Sequence, residues 1–284
     1  MSETRRVSAV VDAHVHLHAC YAPDSFFDNA YFNLASAAGR AAPPNARACY
    51  LLMTECAGDD YFGQLRAAAE AGPPGRGTLF QRWSLVPTDE AESVVAHEGN
   101  RRLYVVAGRQ VACREGLEVL IIGTTQTFAD GQPIRDVLTK AATLEVPHVI
   151  PWGLGKWFFQ RGRLLSELLR EFRKPTLFLG DEGGRPGFWP YPAHFREGAE
   201  LGVRDLPGTD PLPFPHDVAK VGRVGFRVPI DFDPRRPARS LLRTLCEPST
   251  QLDRFASLEP PIKFVRNQVA MQLRKRRTAG AALQ

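Results

Sequence analysis

The 284-residue chain has no uninterrupted apolar run of the roughly 18 residues that a membrane-crossing helix requires, so no transmembrane segment is expected. Its opening, MSETRRVSAVVDAH, carries basic residues but no apolar core of the signal-peptide kind, which speaks against an export leader. Cysteine is scarce and scattered: five residues, at 20, 49, 56, 113 and 246, with no CxxC pair. That spacing argues against a structural zinc knuckle or a disulfide framework and fits a reducing cytoplasm. Charge of one sign is lacking over most of the chain. The net charge is +5, and residues 262–277, IKFVRNQVAMQLRKRR, hold six basic residues and no acid. A global nucleic-acid-binding surface is therefore not indicated; a local basic tail is.

What is present starts with VVDAHVHLHACY, residues 10–21. Alternate side chains on a strand share a face, so His14, His16 and His18 project together if the strand runs that far. An isolated histidine in such a place is usually a hydrogen-bonded core residue. Two on one face, directly after Asp12, favour metal binding, because imidazole is the commonest protein ligand for metals.

Short apolar runs at 7–13, 48–54, 79–86, 102–107, 117–122, 146–150, 176–180 and 203–206 read as strands. Between them, PIRDVLTKAATL (133–144) and RLLSELLREF (163–172) have helical periodicity, with Leu164, Leu165, Leu168, Leu169 and Phe172 on one face of the latter. Strands alternating with helices predict an α/β fold, and the number of strands favours a closed or nearly closed barrel. Gly- and Pro-rich pieces at 72–77, 183–192 and 207–215 read as loops.

In a β/α barrel the chemistry gathers at the carboxyl ends of the strands. Those ends supply His14 and His16; Glu55; Arg109 and Gln110; Lys156; Asp181, Glu182 and Arg185; and Asp210. An acid after a strand is ordinarily a helix cap or a solvated loop residue. Six strand ends with polar groups form a stronger pattern. Two imidazoles with several carboxylates suit a divalent Zn, Mn or Fe ion, one or two per chain, that acidifies a water. In WGLGKWFFQRGRLL, Lys156, Arg161 and Arg163 follow a strand, and glycines let a ligand come close to the backbone. That segment, with Arg109, Gln110 and Arg185, is a candidate for binding a phosphorylated or other anionic small molecule. Equally, Trp152, Trp157 and Phe158 simply cover the mouth while the basic groups stay in water. His97, His194 and His216 read as surface residues, His148 as a modest candidate, and His18 as a group that orients the ligands.

The order DAHVHLH, LLMTEC, VVAGRQVACREGLEVLIIG, HVIPWG and PGTDPLPFPHDVAKVGRVG resembles the polymerase and histidinol phosphatase (PHP) superfamily over residues 7–228, and more distantly the amidohydrolases. The resemblance implies a distorted (β/α)7 barrel over residues 1–230 with a C-terminal helical extension, 231–284, packed on it. It implies phosphoester hydrolysis at a metal site of His14, His16, Glu55 and Asp210, with Asp181 or Glu182 as an addition and Glu55 and Asp210 as catalytic groups. The chain departs from that pattern. Cys56 stands for a histidine, Gln110 for an anionic bridging ligand, Ile150 for a further ligand and Leu212 for the closing histidine, which implies a reduced metal cluster. Two readings stay open: a metal-dependent, phosphoesterase-like hydrolase, and a barrel without catalysis that binds an anionic ligand or a partner. For residues 262–277, with Ile262, Val265, Val269 and Leu273 at helical spacing, a terminal helix packed on the barrel is favoured over weak contact with an anionic surface.

Overall fold

The computed structural model of the chain describes residues 4–39, 43–72, 81–172, 174–183, 185–186, 190–256 and 266. Its strands fall into two sheets. The larger contains β1 (Arg5–Val15), β2 (Arg47–Met53), β3 (Ser84–Pro87), β4 (Ser93–Glu98), β5 (Arg101–Val106), β11 (Val224–Phe232) and β12 (Asp253–Ala256), in the order β12-β11-β1-β2-β5-β4-β3. The smaller contains β6 (Gly108–Ala112), β7 (Glu118–Ile122), β8 (His148–Pro151), β9 (Leu177–Gly180) and β10 (Arg204–Asp205), in the order β10-β9-β8-β7-β6.

The expected (β/α)7 barrel does not form. A barrel of β-α units needs parallel neighbours throughout, whereas β1–β11, β3–β4, β4–β5, β6–β7 and β7–β8 pair antiparallel. Each tight turn, such as Gly99-Asn100 between β4 and β5, sends the chain straight back and spares it a crossover helix. The result is two mixed sheets, not one closed wall. The fold is α/β, as the alternation of strands and helices suggests, but open.

Alternating side chains divide each sheet into two faces. Val7, Ala9, Val11 and Ala13 of β1 and Ala48, Tyr50 and Leu52 of β2 pack in one cluster with Leu120, Ile122, Val149 and Phe178 of the smaller sheet, so the sheets face each other. Behind the larger sheet, Val10, Cys49 and Leu51 meet α1 (Pro23–Ala38) and α2 (Tyr61–Ala71) through Phe26, Phe27, Leu34 and Phe62. Behind the smaller sheet lie α3 (Ile134–Thr143), α4 (Phe159–Glu171) and α5 (Ala193–Glu200). Leu165, Leu168 and Leu169 recur at helical spacing and are fully buried; each such side chain contributes about 1.5–3 kcal/mol of apolar burial. α6 (Pro237–Cys246) inserts Leu241 and Leu245 into the cluster between the sheets. The Glu90 carboxylate satisfies its first turn, accepting from the backbone N–H groups of Ala238 (2.9 Å) and Arg239 (2.8 Å).

The boundary expected at 230/231 falls inside β11, which pairs with β1 along seven positions from Arg5↔Phe232 to Val11↔Phe226. Gly225 permits that approach: a Cβ there would stand 1.9 Å from the Val11 carbonyl oxygen. The basic segment 262–277 lies outside the described residues except for Arg266. Among the described residues, no helix is long and apolar enough to cross a membrane. The five cysteines are all free thiols.

Candidate metal centre

The two sheets meet at one end. The Asp210 N–H donates to the His14 carbonyl (2.8 Å), Gln110 N–H to the Glu55 carbonyl (2.8 Å) and Glu55 N–H to the Gly108 carbonyl (3.2 Å). Single bridges link Glu55 with Arg109 and Glu182 with Gly208. These contacts gather the carboxyl ends of β1, β2, β9 and β10 around one small volume.

A register shift between Asp12 and Val15 in the β1–β2 pairing decides which way the histidines point. Ala13 faces the space between the sheets, but Val15 and Leu17 face the helices. His14 and His16 are left on the inner side, and their ring centroids are 5.0 Å apart. His18 continues the row, stacked on His16 at 5.6 Å, and its Nε2–H donates to the Pro211 carbonyl (2.9 Å). Burial lowers its pKa. The third histidine therefore braces the loop that carries Asp210.

His14 Nε2 lies 3.0 Å from His16 Nε2, 3.0 Å from Gln110 Oε1 and 3.5 Å from Asp210 Oδ1. His16 Nε2 is also 3.5 Å from the same oxygen. A single imidazole N–H cannot serve three neighbours. A tetrahedral ion bonded at about 2.0–2.1 Å holds its ligand atoms about 3.3 Å apart, so this triangle has the dimensions of three ligands on one ion. Among the described residues, His14, His16 and Asp210 are the set of three whose ligand atoms come within 4.8 Å of one another. On the far side of the His14 ring, Nδ1 is 3.1 Å from Glu182 Oε1, off the hydrogen-bond direction, and this buried nitrogen makes no hydrogen bond. A carboxylate behind a ligating imidazole is the usual outer partner at such centres.

The electrostatics follow from burial and proximity. Burial works to raise the Asp210 carboxyl, but the charge on His14 and the hydrogen bond with His16 prevail and hold it well below the carboxylate range. Burial pushes Glu182 well above it, reinforced by the charge of Asp210 and opposed by Lys156. The two carboxyls are thus pushed in opposite directions. Burial depresses His16, yet the hydrogen bonds with Asp210 and Cys56 leave its pKa raised. Asp210 itself sits at φ 48°, in the left-handed region that aspartate tolerates better than most residues.

Asp12, which the sequence offers only as context for the histidines, is the unforeseen organiser. Its fully buried carboxylate accepts from the N–H groups of Thr209 (2.8 Å), Gly222 (2.8 Å) and His14 (3.3 Å), tying β1 to the segment that bears Asp210. Burial moves its pKa up to about 6 despite these bonds. An acid inside the apolar run VVDAHV was the visible signal.

The other expected site residues are placed as follows. Glu55 is buried but turned away: one oxygen accepts from the Phe62 N–H in the first turn of α2 (2.6 Å), and the other pairs with Arg109 (2.9 Å). Arg109 also donates to the Asp59 carbonyl, so both groups are held within the scaffold. Asp181 grips Arg185 through two bonds, at 2.8 and 3.1 Å, and also pairs with Arg254. Lys156 pairs with Glu118 and feels the charges of Glu182 and Asp210. Gln110 is brought directly to the centre.

The overall architecture has a solved counterpart. The chain shares its fold with PsfC from Pseudomonas syringae PB-5123. The two superpose with a TM-score of 0.54 at 15% identity, over 94% of this chain and 98% of PsfC. No protein-family model matches the sequence, and no curated protein does. The similarity to PsfC concerns the path of the chain; the chemistry has to be read from the side chains.

Proposed function

We propose that this protein is a metal-dependent hydrolase, phosphoesterase-like, acting on small phosphorylated molecules with one divalent Zn, Mn or Fe ion. The reading rests on the triangle of His14 Nε2, His16 Nε2 and Asp210 Oδ1, whose edges of 3.0, 3.5 and 3.5 Å suit a single ion. When bound, such an ion supplies electrophilic activation of the ester and an acidified water. The chain's own groups do the rest. Glu182 stands behind the His14 ring, 3.1 Å from Nδ1, and Gln110 closes one side of the centre without adding charge. Glu182 and Asp210 are interacting carboxyls with pKa values pushed in opposite directions, a pair suited to moving a proton as the P–O bond breaks. Lys156, paired with Glu118, is a cation whose charge also reaches this centre, which favours an anionic substrate. Free thiols at all five cysteines support a cytoplasmic setting.

Metal content after growth in supplemented medium, together with hydrolysis of a panel of phosphomonoesters and phosphodiesters, tests the proposal. About one ion per chain and turnover are expected in the wild type, and both should vanish in His14→Ala/His16→Ala. Stoichiometric metal in the double variant would overturn the site. A metal-loaded wild type that turns over no phosphoester would overturn the activity and leave a ligand-binding protein.

A further inference from the structure

At the opposite end of the larger sheet lies a cavity of about 310 Å³ that the metal centre does not explain. β1, β2 and β5 run parallel side by side, so their amino ends share one edge. Each begins with arginine: Arg5 opens β1, Arg47 opens β2, and Arg102 is the second residue of β5. All three line this cavity, with Tyr31 and Tyr104, and no lining residue is an acid. Acids near this edge are engaged elsewhere: Asp231 with Arg6 and Asp28 with Arg101, each at 2.9 Å, and Glu98 with Arg101. Arg5 and Arg102 form no ion pair with a carboxylate among the described residues; Arg5 stacks on Phe232 at 5.8 Å, and the charge of Arg102 acts on Tyr104.

The hydrogen-bond inventory is one-sided. Guanidinium groups only donate, and they stay charged at any physiological pH. Tyr31 already accepts from Arg47 at 3.3 Å, so its phenol has its own O–H to donate. Three arginines and two phenol hydroxyls around one concavity with no acid in its lining suit an acceptor-only anion. We propose that this cavity is a binding site for a phosphate-type dianion, taken either as inorganic phosphate or as the head of a small phosphomonoester. Nine steps of extended strand, about 30 Å, separate Arg5 from His14, so the site is remote from the candidate metal centre. It goes beyond the proposed hydrolase activity and stands without it.

Calorimetric titration of the full chain with inorganic phosphate, and separately with methyl phosphate, tests the proposal, with chloride at equal ionic strength as control. Arg5 and Arg102 are exposed, so Arg5→Gln/Arg102→Gln should fold normally, as checked by circular dichroism. Saturable binding is expected in the wild type and in His14→Ala/His16→Ala, and at least about tenfold weaker binding in the arginine variant. Tighter binding of methyl phosphate identifies the phosphomonoester as the ligand, and equal or weaker binding identifies inorganic phosphate. No saturable binding by the wild type overturns the proposal. So does equal affinity in the arginine variant, or a loss confined to the histidine variant.

Discussion

Gly208 is the tightest point of the candidate centre. A Cβ at this position would stand 2.3 Å from the His14 backbone nitrogen and 2.5 Å from the His14 Cβ, where ordinary contact begins at 3.4 Å. Both neighbours belong to a strand that is itself paired on two sides, so no rotamer change relieves the clash. In Gly208→Ala, the segment carrying Thr209 and Asp210 must retreat by about 1 Å, at a cost of about 1–3 kcal/mol. A domain of ordinary stability, about 5–15 kcal/mol, survives that loss folded. The ligand triangle does not survive it, because Asp210 moves with the loop while His14 and His16 stay on β1. Disturbing a metal ligand's support typically weakens affinity about 10–100-fold. Competition with a chromophoric chelator measures the affinity, and thermal unfolding of the metal-free protein measures the strain separately. Unchanged metal affinity in a folded Gly208→Ala protein would refute the reasoning.

Glu55→Ala should lower unfolding stability by about 3–5 kcal/mol, because it leaves Arg109 without its carboxylate and the first turn of α2 without an acceptor, yet metal content should not change; loss of metal in a folded variant would make Glu55 a ligand. Lys156→Ala should raise KM for phosphorylated substrates more than it lowers kcat, and an unchanged KM would remove Lys156 from substrate recognition. Burial holds the His148 pKa below its ordinary 6.5, with the Val146 carbonyl opposing. The unfolded chain therefore takes up this proton first, so the stability due to neutral His148 is complete above about pH 6.5 and is lost as pH falls below it. Between pH 7 and pH 5 the urea midpoint of the wild type should fall relative to that of His148→Leu, and parallel curves would refute this assignment.

The local pattern around the histidines was legible because a strand has a period of two: apolar residues at 7, 9, 11 and 13 mark one face, and the imidazoles follow in the same run. The register shift that aims His14 and His16 inward left no mark in the sequence, since it depends on how β2 pairs. Asp210 was readable from its Gly-Thr-Asp context. The fate of Glu55 was not, because its partner Arg109 lies 54 positions along the chain and only the bridge between β2 and β6 brings them together. The barrel expectation failed on turns. The stretches Glu98–Arg101 and Arg114–Gly116 are tight reversals that join antiparallel strands, and weighing them above the number of strands would have indicated hairpins. β4, β6, β11 and β12 were missed, the first two within those hairpins and the last two beyond the last expected strand.

The donors of the candidate centre come from both sheets, His14 and His16 from the end of β1 and just beyond it and Asp210 from the loop after β10. With an ion in place, the centre is also a rivet. The sheets are otherwise joined at this end by single bridges and a few backbone bonds, so the free energy of metal binding becomes free energy of holding the halves together. An ion at a hundredfold excess over its dissociation constant adds about 2.7 kcal/mol, a large share of what keeps an ordinary domain folded. Amides from His14 to His18 and from Gly208 to Leu212 should then exchange faster with solvent when the ion is removed. For a chain fastened by an ion in this way, a lower folded fraction without metal means faster clearance by proteases.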